Sequence, residues 1–224
     1  MAGSDAGARW VEVPPERLAR WVAAFATRHG PTVAEPAPEA VVLRAEDGAV
    51  AACHPPFPPM AQPPDGAGDP ARQAELIAAH AVAARTVGVL LVRLGGYAAG
   101  VFTGDPPQLA ASKTGSRLVH GRAAAGGWSQ HRFARRRENQ AAAALRAAAD
   151  TAVAVLGPYT GRLDAVVLGG DRRTMAGLRD DPRLAPFLAL AVERFLTVPD
   201  PRLAVLKDTP RLFRAVKIRL TGPG

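Results

Sequence analysis

The chain has 224 residues, 48% of them hydrophobic, which is enough for one large domain or two small ones and excludes a disordered chain. Its formal net charge of +8 is typical of proteins that meet a polyanion, such as nucleic acid, an anionic membrane or an acidic partner. The single cysteine excludes an intramolecular disulfide. Without an apolar signal core or a run long enough for a bilayer, we expect a cytoplasmic protein with no membrane contact.

Residues 1–70 predict a small N-terminal α+β segment. Apolar residues alternate in a short strand and then recur at helical spacing, and seven prolines between residues 54 and 70 indicate an irregular linker. In chain order, the predicted elements are a strand at Trp10–Val13, a helix from Pro14-Pro15 to Gly30-Pro31, and a hairpin of Val41–Leu43 with Ala49–Cys53.

Residues 71–224 predict a larger domain that opens with a helix reaching about Arg85 and continues as a meander of strands. Glycine-containing and proline-containing turns separate the apolar runs. The predicted strands are Val87–Leu94, Tyr97–Thr103, Gln108–Ser112 and Ser116–His120, the last two joined by a turn at Thr114-Gly115.

A long alanine-rich helix is predicted from about Ser129 to Leu156. Next comes a buried strand, Asp164–Leu168, and Gly169-Gly170-Asp171 after it is interpreted as a tight turn rather than a binding site. The remaining predicted elements are helical segments near Thr174–Leu178 and Pro186–Glu193 and strands at Phe195–Val198 and Val216–Leu220. This order predicts an α/β (α+β) fold, a mixed β-sheet flanked by helices.

The positive charge is concentrated in one stretch. Between Lys113 and Arg146 there are eight basic residues and one acid, so this stretch carries +7 and the rest of the chain about +1. On the long helix, one face carries basic and polar residues and another carries an apolar stripe that can pack on the sheet. The first face comprises Arg132, Arg135, Asn139 and Arg146, and the second comprises Leu145, Ala149, Ala152 and Leu156.

The start of this helix carries the candidate chemistry. Gly126 and Gly127 give a backbone that can approach a ligand closely, and Ser129 is a suitable N-cap residue. The unpaired N–H groups and the dipole of a helix N-terminus favour a phosphate or a developing oxyanion. Trp128 is interpreted as either a residue that stacks on a base or an anchor of the loop.

The segment Gly126–Arg137 is similar to the Vms-like release factors, and within them to the actinobacterial branch. The catalytic domain of that family is related to the middle domain of the eukaryotic and archaeal peptide-chain release factor. The resemblance covers about residues 86–220. In the release factors a glutamine directly follows the two glycines, whereas Trp128 and Ser129 intervene here.

The resemblance implies a peptidyl-tRNA hydrolase that enters the peptidyl-transferase centre of the large ribosomal subunit and releases stalled nascent chains in ribosome quality control. By that resemblance Gln130 matches the essential glutamine, and Gly126, Gly127 and Ser129 form the rest of the catalytic loop. The expected partners are the ribosome, peptidyl-tRNA and rRNA. The expected RNA-binding residues are Trp128, His131, Arg132, Arg135, Arg136 and Asn139, with His131 equally interpretable as ordinary helix surface.

Two other functions fit the sequence pattern. One is a ribonuclease that cuts near the tRNA 3′ end, in which His131, Glu138 and the arginines serve phosphodiester cleavage. The other is a non-catalytic protein that binds RNA or the ribosome. We expect no metal and no cofactor, because no histidine pair has metal-site spacing and nucleotide-binding glycine motifs are missing.

Overall fold

The computed structural model describes the backbone of residues 8–61, 68–93, 95–116 and 129–223, with side chains except those of residues 129–138. The chain forms two compact units. The first unit comprises Met1–Ala83 and Arg211–Gly224, and the second comprises Ala84–Pro210.

The first unit is a five-stranded antiparallel sheet with two helices, α1 (Pro15–His29) and α2 (Pro70–Val82). In the sheet, the C-terminal strand lies between the first strand and the fourth. The strands are β1 (Arg9–Val13), β2 (Thr32–Pro36), β3 (Val41–Ala45), β4 (Val50–His54) and β10 (Val216–Thr221), in the order β1-β10-β4-β3-β2. Apolar residues of both helices pack with the inner face of the sheet to form its core.

The second unit is built on a mixed sheet. An antiparallel meander forms one side, and two further strands add in parallel on the other. The strands are β5 (Val87–Arg93), β6 (Gly96–Thr103), β7 (Gln108–Ser116), β8 (Ala165–Gly170) and β9 (Ala191–Leu196), in the order β7-β6-β5-β8-β9. Strand β5 is buried on both faces, which explains its nearly continuous run of aliphatic residues.

Four further α-helices follow in the part of the chain that the structure describes, and the longest of them, α3, packs against β6 and β7. They are α3 (Ser129–Leu156), α4 (Arg172–Ala176), α5 (Ala185–Leu188) and α6 (Leu203–Phe213). The predicted fold class, α/β (α+β) with a mixed sheet flanked by helices, is confirmed.

The predicted turn at Thr114-Gly115 is wrong, because β7 is a single strand that runs through both residues and pairs with β6. Gly115 lies opposite Tyr97, and a side chain at Gly115 would overlap the tyrosine ring. The glycine therefore makes room for an aromatic ring across the strands rather than forming a turn. The rest of the predicted strand after Ser116 lies outside the described residues.

Two other local predictions fail. Gly169 and Gly170 do not form a turn after the strand, because both belong to β8 and pair with Leu91 and Val92 of β5. The predicted helical segment Pro186–Glu193 contains only the short α5, because residues 191–196 form the edge strand β9. In both cases pairing with a neighbouring strand outweighs the local preference.

The limits of the two units depend on contacts between segments that are far apart in the sequence. The pattern alone placed a boundary at residue 70, whereas the compact units divide the chain between Ala83 and Ala84. Helix α2 packs on α1, and β10 pairs with β1 and β4, so both belong to the first unit. Neither β2 nor α6 was predicted; α6 contains Pro210, which normally signals a helix end.

We predict that Gly170→Ala destabilises the protein far more than Gly161→Ala. Both glycines have positive φ, 104° and 81°. A methyl group at Gly170 would also overlap the carbonyl group of Val92, whereas nothing lies near one at Gly161. We expect a loss of about 3 kcal/mol for the first and about 1 kcal/mol for the second, measured by urea unfolding. Equal losses would contradict the close approach of β8 to β5.

We also predict that Cys53 is unreactive in the folded protein. Burial raises the pKa of its thiol from 9.0 to about 12, so the thiolate is absent near neutral pH. Because the unfolded thiol ionises first, stability falls as the pH rises between those values. A colorimetric thiol reagent at pH 8 should modify the urea-unfolded chain completely and the native chain not at all. Rapid labelling without denaturant would contradict the burial.

Candidate functional site

The candidate site begins where α3 begins. Helix α3 spans Ser129–Leu156, so the predicted helix start at Ser129 is confirmed and Gln130 belongs to its first turn. The predicted site residues Gly126, Gly127 and Trp128 lie outside the described residues. Six other predicted site residues have a described helical backbone but no described side chains: Ser129, Gln130, His131, Arg132, Arg135 and Arg136.

The connection that carries the two glycines joins a sheet edge to a helix N-terminus. It runs from the end of β7 at Ser116, a strand that among the described strands pairs with β6 alone, to Ser129. The first four N–H groups of any α-helix have no intrahelical carbonyl partner, and the helix dipole adds partial positive charge there. A phosphate oxygen or an oxyanion is favoured at such a position.

Burial along α3 changes halfway. From residue 139 to residue 147 every side chain is at least partly exposed, and Asn139 and Arg146 are exposed. From residue 148 onward five side chains enter the core of the second unit: Ala148, Ala149, Ala152, Val155 and Leu156. The predicted apolar stripe is therefore confirmed, with Leu145 packed against the same core. The C-terminal half anchors the helix.

Beside residues 141–145 of α3 lies a cavity of about 600 Å³ within the second unit. Its walls come from the β5–β6 hairpin, the middle of α3 and the start of α4. The charged and aromatic side chains that line it are Arg93, Tyr97, Asp171, Arg173 and Asp200.

Hydrogen bonds fix the charged groups at this cavity. Arg93 donates from Nη1 to the Val198 carbonyl at 2.8 Å, and its Nε lies 3.7 Å from Oδ1 of Asp200. Asp171 accepts from Thr174 N–H at 2.7 Å and from its hydroxyl at 2.6 Å. These bonds, helped by Arg93 and Arg173, hold the pKa of Asp171 below its usual value, so the carboxylate stays ionised.

The sequence pattern did not single out the cavity residues. Gly169-Gly170-Asp171 was the available signal, because ligands in sheets with parallel strands bind beyond the carboxyl ends of the strands. This segment is a signal for a ligand site only because β8 lies parallel to β5, and the sequence does not show that pairing. Within the described ranges no group of His, Cys, Asp and Glu could hold a metal ion. No described helix is long and apolar enough to cross a membrane.

Three solved structures similar to this chain are two archaeal proteins and a Vms1 fragment. The archaeal translation termination factor aRF1 matches over 92% of this chain and 66% of its own, at 13% identity and a TM-score of 0.44. A structure titled only "Archaeal protein" matches over 74% and 48%, at 14% identity and a TM-score of 0.39. The Vms1 mitochondrial localization core matches over 94% and 82%, at 11% identity and a TM-score of 0.34.

This chain thus spans less than two thirds of each of the two archaeal structures. Comparison with curated protein sequences gives no match. The family described as Actinobacteria/chloroflexi VLRF1 release factor matches residues 85–219, more than half of the chain, as the segment from Gly126 to Arg137 indicated. The chain therefore belongs to the Actinobacteria/chloroflexi VLRF1 release factor family.

Proposed function

We propose that the protein hydrolyses the ester between a nascent peptide and its tRNA on stalled ribosomes or free large subunits in the cytoplasm, in ribosome quality control. The observation that supports this proposal is the start of α3 at Ser129, which puts Gln130 in the first turn of a 28-residue helix, three residues after Gly127. The glutamine thus belongs to the end of the helix that has unpaired N–H groups.

In the proposed reaction, the oxygen of a water molecule attacks the ester carbonyl carbon. The bond to the tRNA ribose oxygen breaks, that oxygen takes up a proton, and the peptide leaves as a carboxylic acid. This ester is already activated, so the enzyme needs a well-placed water more than a strong base. The amide of Gln130 cannot remove a proton at neutral pH, but its oxygen can accept a hydrogen bond from the water and orient it.

Backbone N–H groups would stabilise the oxyanion that forms in this step. In known hydrolases one such donor contributes about 3 to 4 kcal/mol to the transition state. The N–H groups of the first turn of α3 and of the adjoining glycine loop, Gly126 and Gly127, are the groups we assign to this role. The tRNA supplies a neighbouring 2′-hydroxyl. No metal or cofactor is needed for this chemistry.

The geometry of α3 suits a site that must reach into a confined space. Its first fully buried side chain among those described is Ala148, so about 28 Å of helix separates that anchor from Ser129. A helix held at one end can carry a loop into the peptidyl-transferase centre while the sheet stays outside. The arginines near the helix start, with Trp128, His131 and Asn139, are proposed to contact rRNA and tRNA.

We predict that Gln130→Ala abolishes peptide release and leaves ribosome binding nearly intact. Loss of the residue that orients the water should lower the release rate about 100-fold or more, by analogy with loss of a single positioned donor. Release is measured with radiolabelled peptidyl-tRNA on stalled ribosomes and on free large subunits, and binding by co-sedimentation.

The matched control for this experiment is Gln140→Ala, a change of the same kind farther along α3 at a partly exposed position. Peptide release by Gln130→Ala at the normal rate would refute the proposed role. The bond that breaks also separates the alternatives. Intact tRNA with free peptide supports the hydrolase, shortened tRNA indicates a ribonuclease, and neither product indicates a binding protein.

We further predict that replacing Arg132, Arg135 and Arg136 together by glutamine weakens RNA binding and its dependence on salt. Each lost phosphate contact should lower the slope of log affinity against log salt by about 0.7 to 0.9. The control carries the same replacements at three exposed arginines of α1, namely Arg17, Arg20 and Arg28. An unchanged slope in the α3 variant would show that its arginines touch no phosphate.

A further inference from the structure

We propose that the cavity lined by Arg93, Tyr97, Asp171 and Arg173 binds one unpaired nucleotide of the RNA that α3 contacts. The base would lie on the tyrosine ring and the alanines of α3, and its phosphate would meet Arg173. This inference rests on the RNA-binding part of the proposed function. It adds a second RNA contact that is separate from the catalytic loop.

The cavity exists because two parallel strands end side by side and then diverge. Val92 of β5 is paired with Gly170 of β8, and the N–H of Asp171 donates to the Val92 carbonyl at 2.8 Å. Beyond this point β5 turns back into the antiparallel β6, while β8 leads into α4. Diverging connections after adjacent parallel strands leave a crevice, the usual ligand site in such sheets.

The walls of the cavity suit a flat, partly apolar ligand. Ala141, Ala144 and Leu145 present small or aliphatic side chains from α3, and Tyr97 contributes an aromatic ring. The volume of about 600 Å³ lies within the range of small-molecule sites. Bases of single-stranded RNA are bound in proteins by stacking on such rings.

The charged groups at the cavity are both donors and acceptors. Arg173 is exposed and donates no hydrogen bond to the described residues, so its guanidinium can take a phosphate. Asp171 uses Oδ1 for Thr174, while Oδ2 accepts no hydrogen bond from the described part of the chain. A carboxylate can accept from the amino group of a base. A simple anion would match Arg173 but not Asp171, and a simple cation would match Asp171 but not Arg173.

The position of the cavity on α3 favours RNA as the source of the nucleotide. Ala141 lies about 18 Å along the helix from Ser129. The basic stretch from Lys113 ends at Arg146, which is exposed and adjacent to Leu145 of the cavity wall. A single strand that follows this basic stretch would reach the cavity without leaving the second unit.

The test uses the full chain, a fluorescein-labelled 12-nucleotide single-stranded RNA and the same RNA as a duplex, with affinities from fluorescence anisotropy. Arg173→Glu removes the phosphate contact, and Ala141→Phe fills the cavity without changing charge. The matched controls are Arg179→Glu and Ala142→Phe, at exposed positions outside the cavity. Circular dichroism establishes that each variant is folded. Because Arg173 is exposed, its variant tests the proposal even if Ala141→Phe perturbs packing.

We expect each cavity variant to bind the single strand about fivefold or more weakly, with both controls and all duplex affinities within about twofold of the parent. Unchanged single-strand binding by the cavity variants would overturn the proposal, as would an equal loss on the duplex or in the controls. Peptide release is measured in parallel. A parent chain that shows the expected binding pattern but releases no peptide would refute the hydrolase alone, and release with unaffected cavity variants would refute the cavity inference alone.

Discussion

The packing of the C-terminal half of α3 on the sheet is the interaction on which the second unit depends. Ala148, Ala149 and Ala152 are essentially inaccessible to solvent, and Leu156 closes the same core. Because alanine side chains are small, the helix lies close to β6, and burial of aliphatic surface fixes its direction. Residues 139–147 are at least partly exposed, and the buried side chains of the C-terminal half hold the helix on the sheet.

The C-terminal half of α3 packs on the sheet, and its N-terminal half carries the proposed catalytic and RNA-binding residues. Within residues 139–147, small alanines with the polar Asn139 and Arg146 leave the helix at least partly exposed, which suits the proposed contact with RNA. The proposed hydrolysis asks little of the protein chemically, since a glutamine and backbone donors suffice for an activated ester. The reaction does require that these groups be placed accurately. A long helix anchored at one end can place them with a small loss of conformational entropy.

The second constraint is the contact between β8 and β5. Gly170 takes a φ of 104° and lies against the backbone of Val92, where no larger residue fits. This contact precedes Asp171 in the chain. The hydrogen bonds from Thr174, with the charges of Arg93 and Arg173, lower the pKa of Asp171 and keep its carboxylate ionised. The cavity and its charges therefore follow from one glycine at the end of a parallel strand.

Elements with a long, local sequence signal could be predicted from the chain alone. They are the alanine-rich helix from Ser129, the buried strands β5 and β6, the concentration of basic residues and the glycine–glutamine segment whose resemblance indicated the family. Helical periodicity, apolar runs and charge are properties of neighbouring residues, so no knowledge of partners was needed.

Features that depend on residues far apart in the sequence are apparent only in the folded chain. Gly115 resembles a turn residue in the sequence, but the Tyr97 ring lies across from it, and residues 191–193 have a helical pattern but belong to β9, which pairs with β8. The place of β10 between β1 and β4 and the convergence of Arg93, Asp171 and Asp200 were likewise invisible in the chain. The physical reason is that strand pairing and cavity shape are set by partners that local periodicity does not encode.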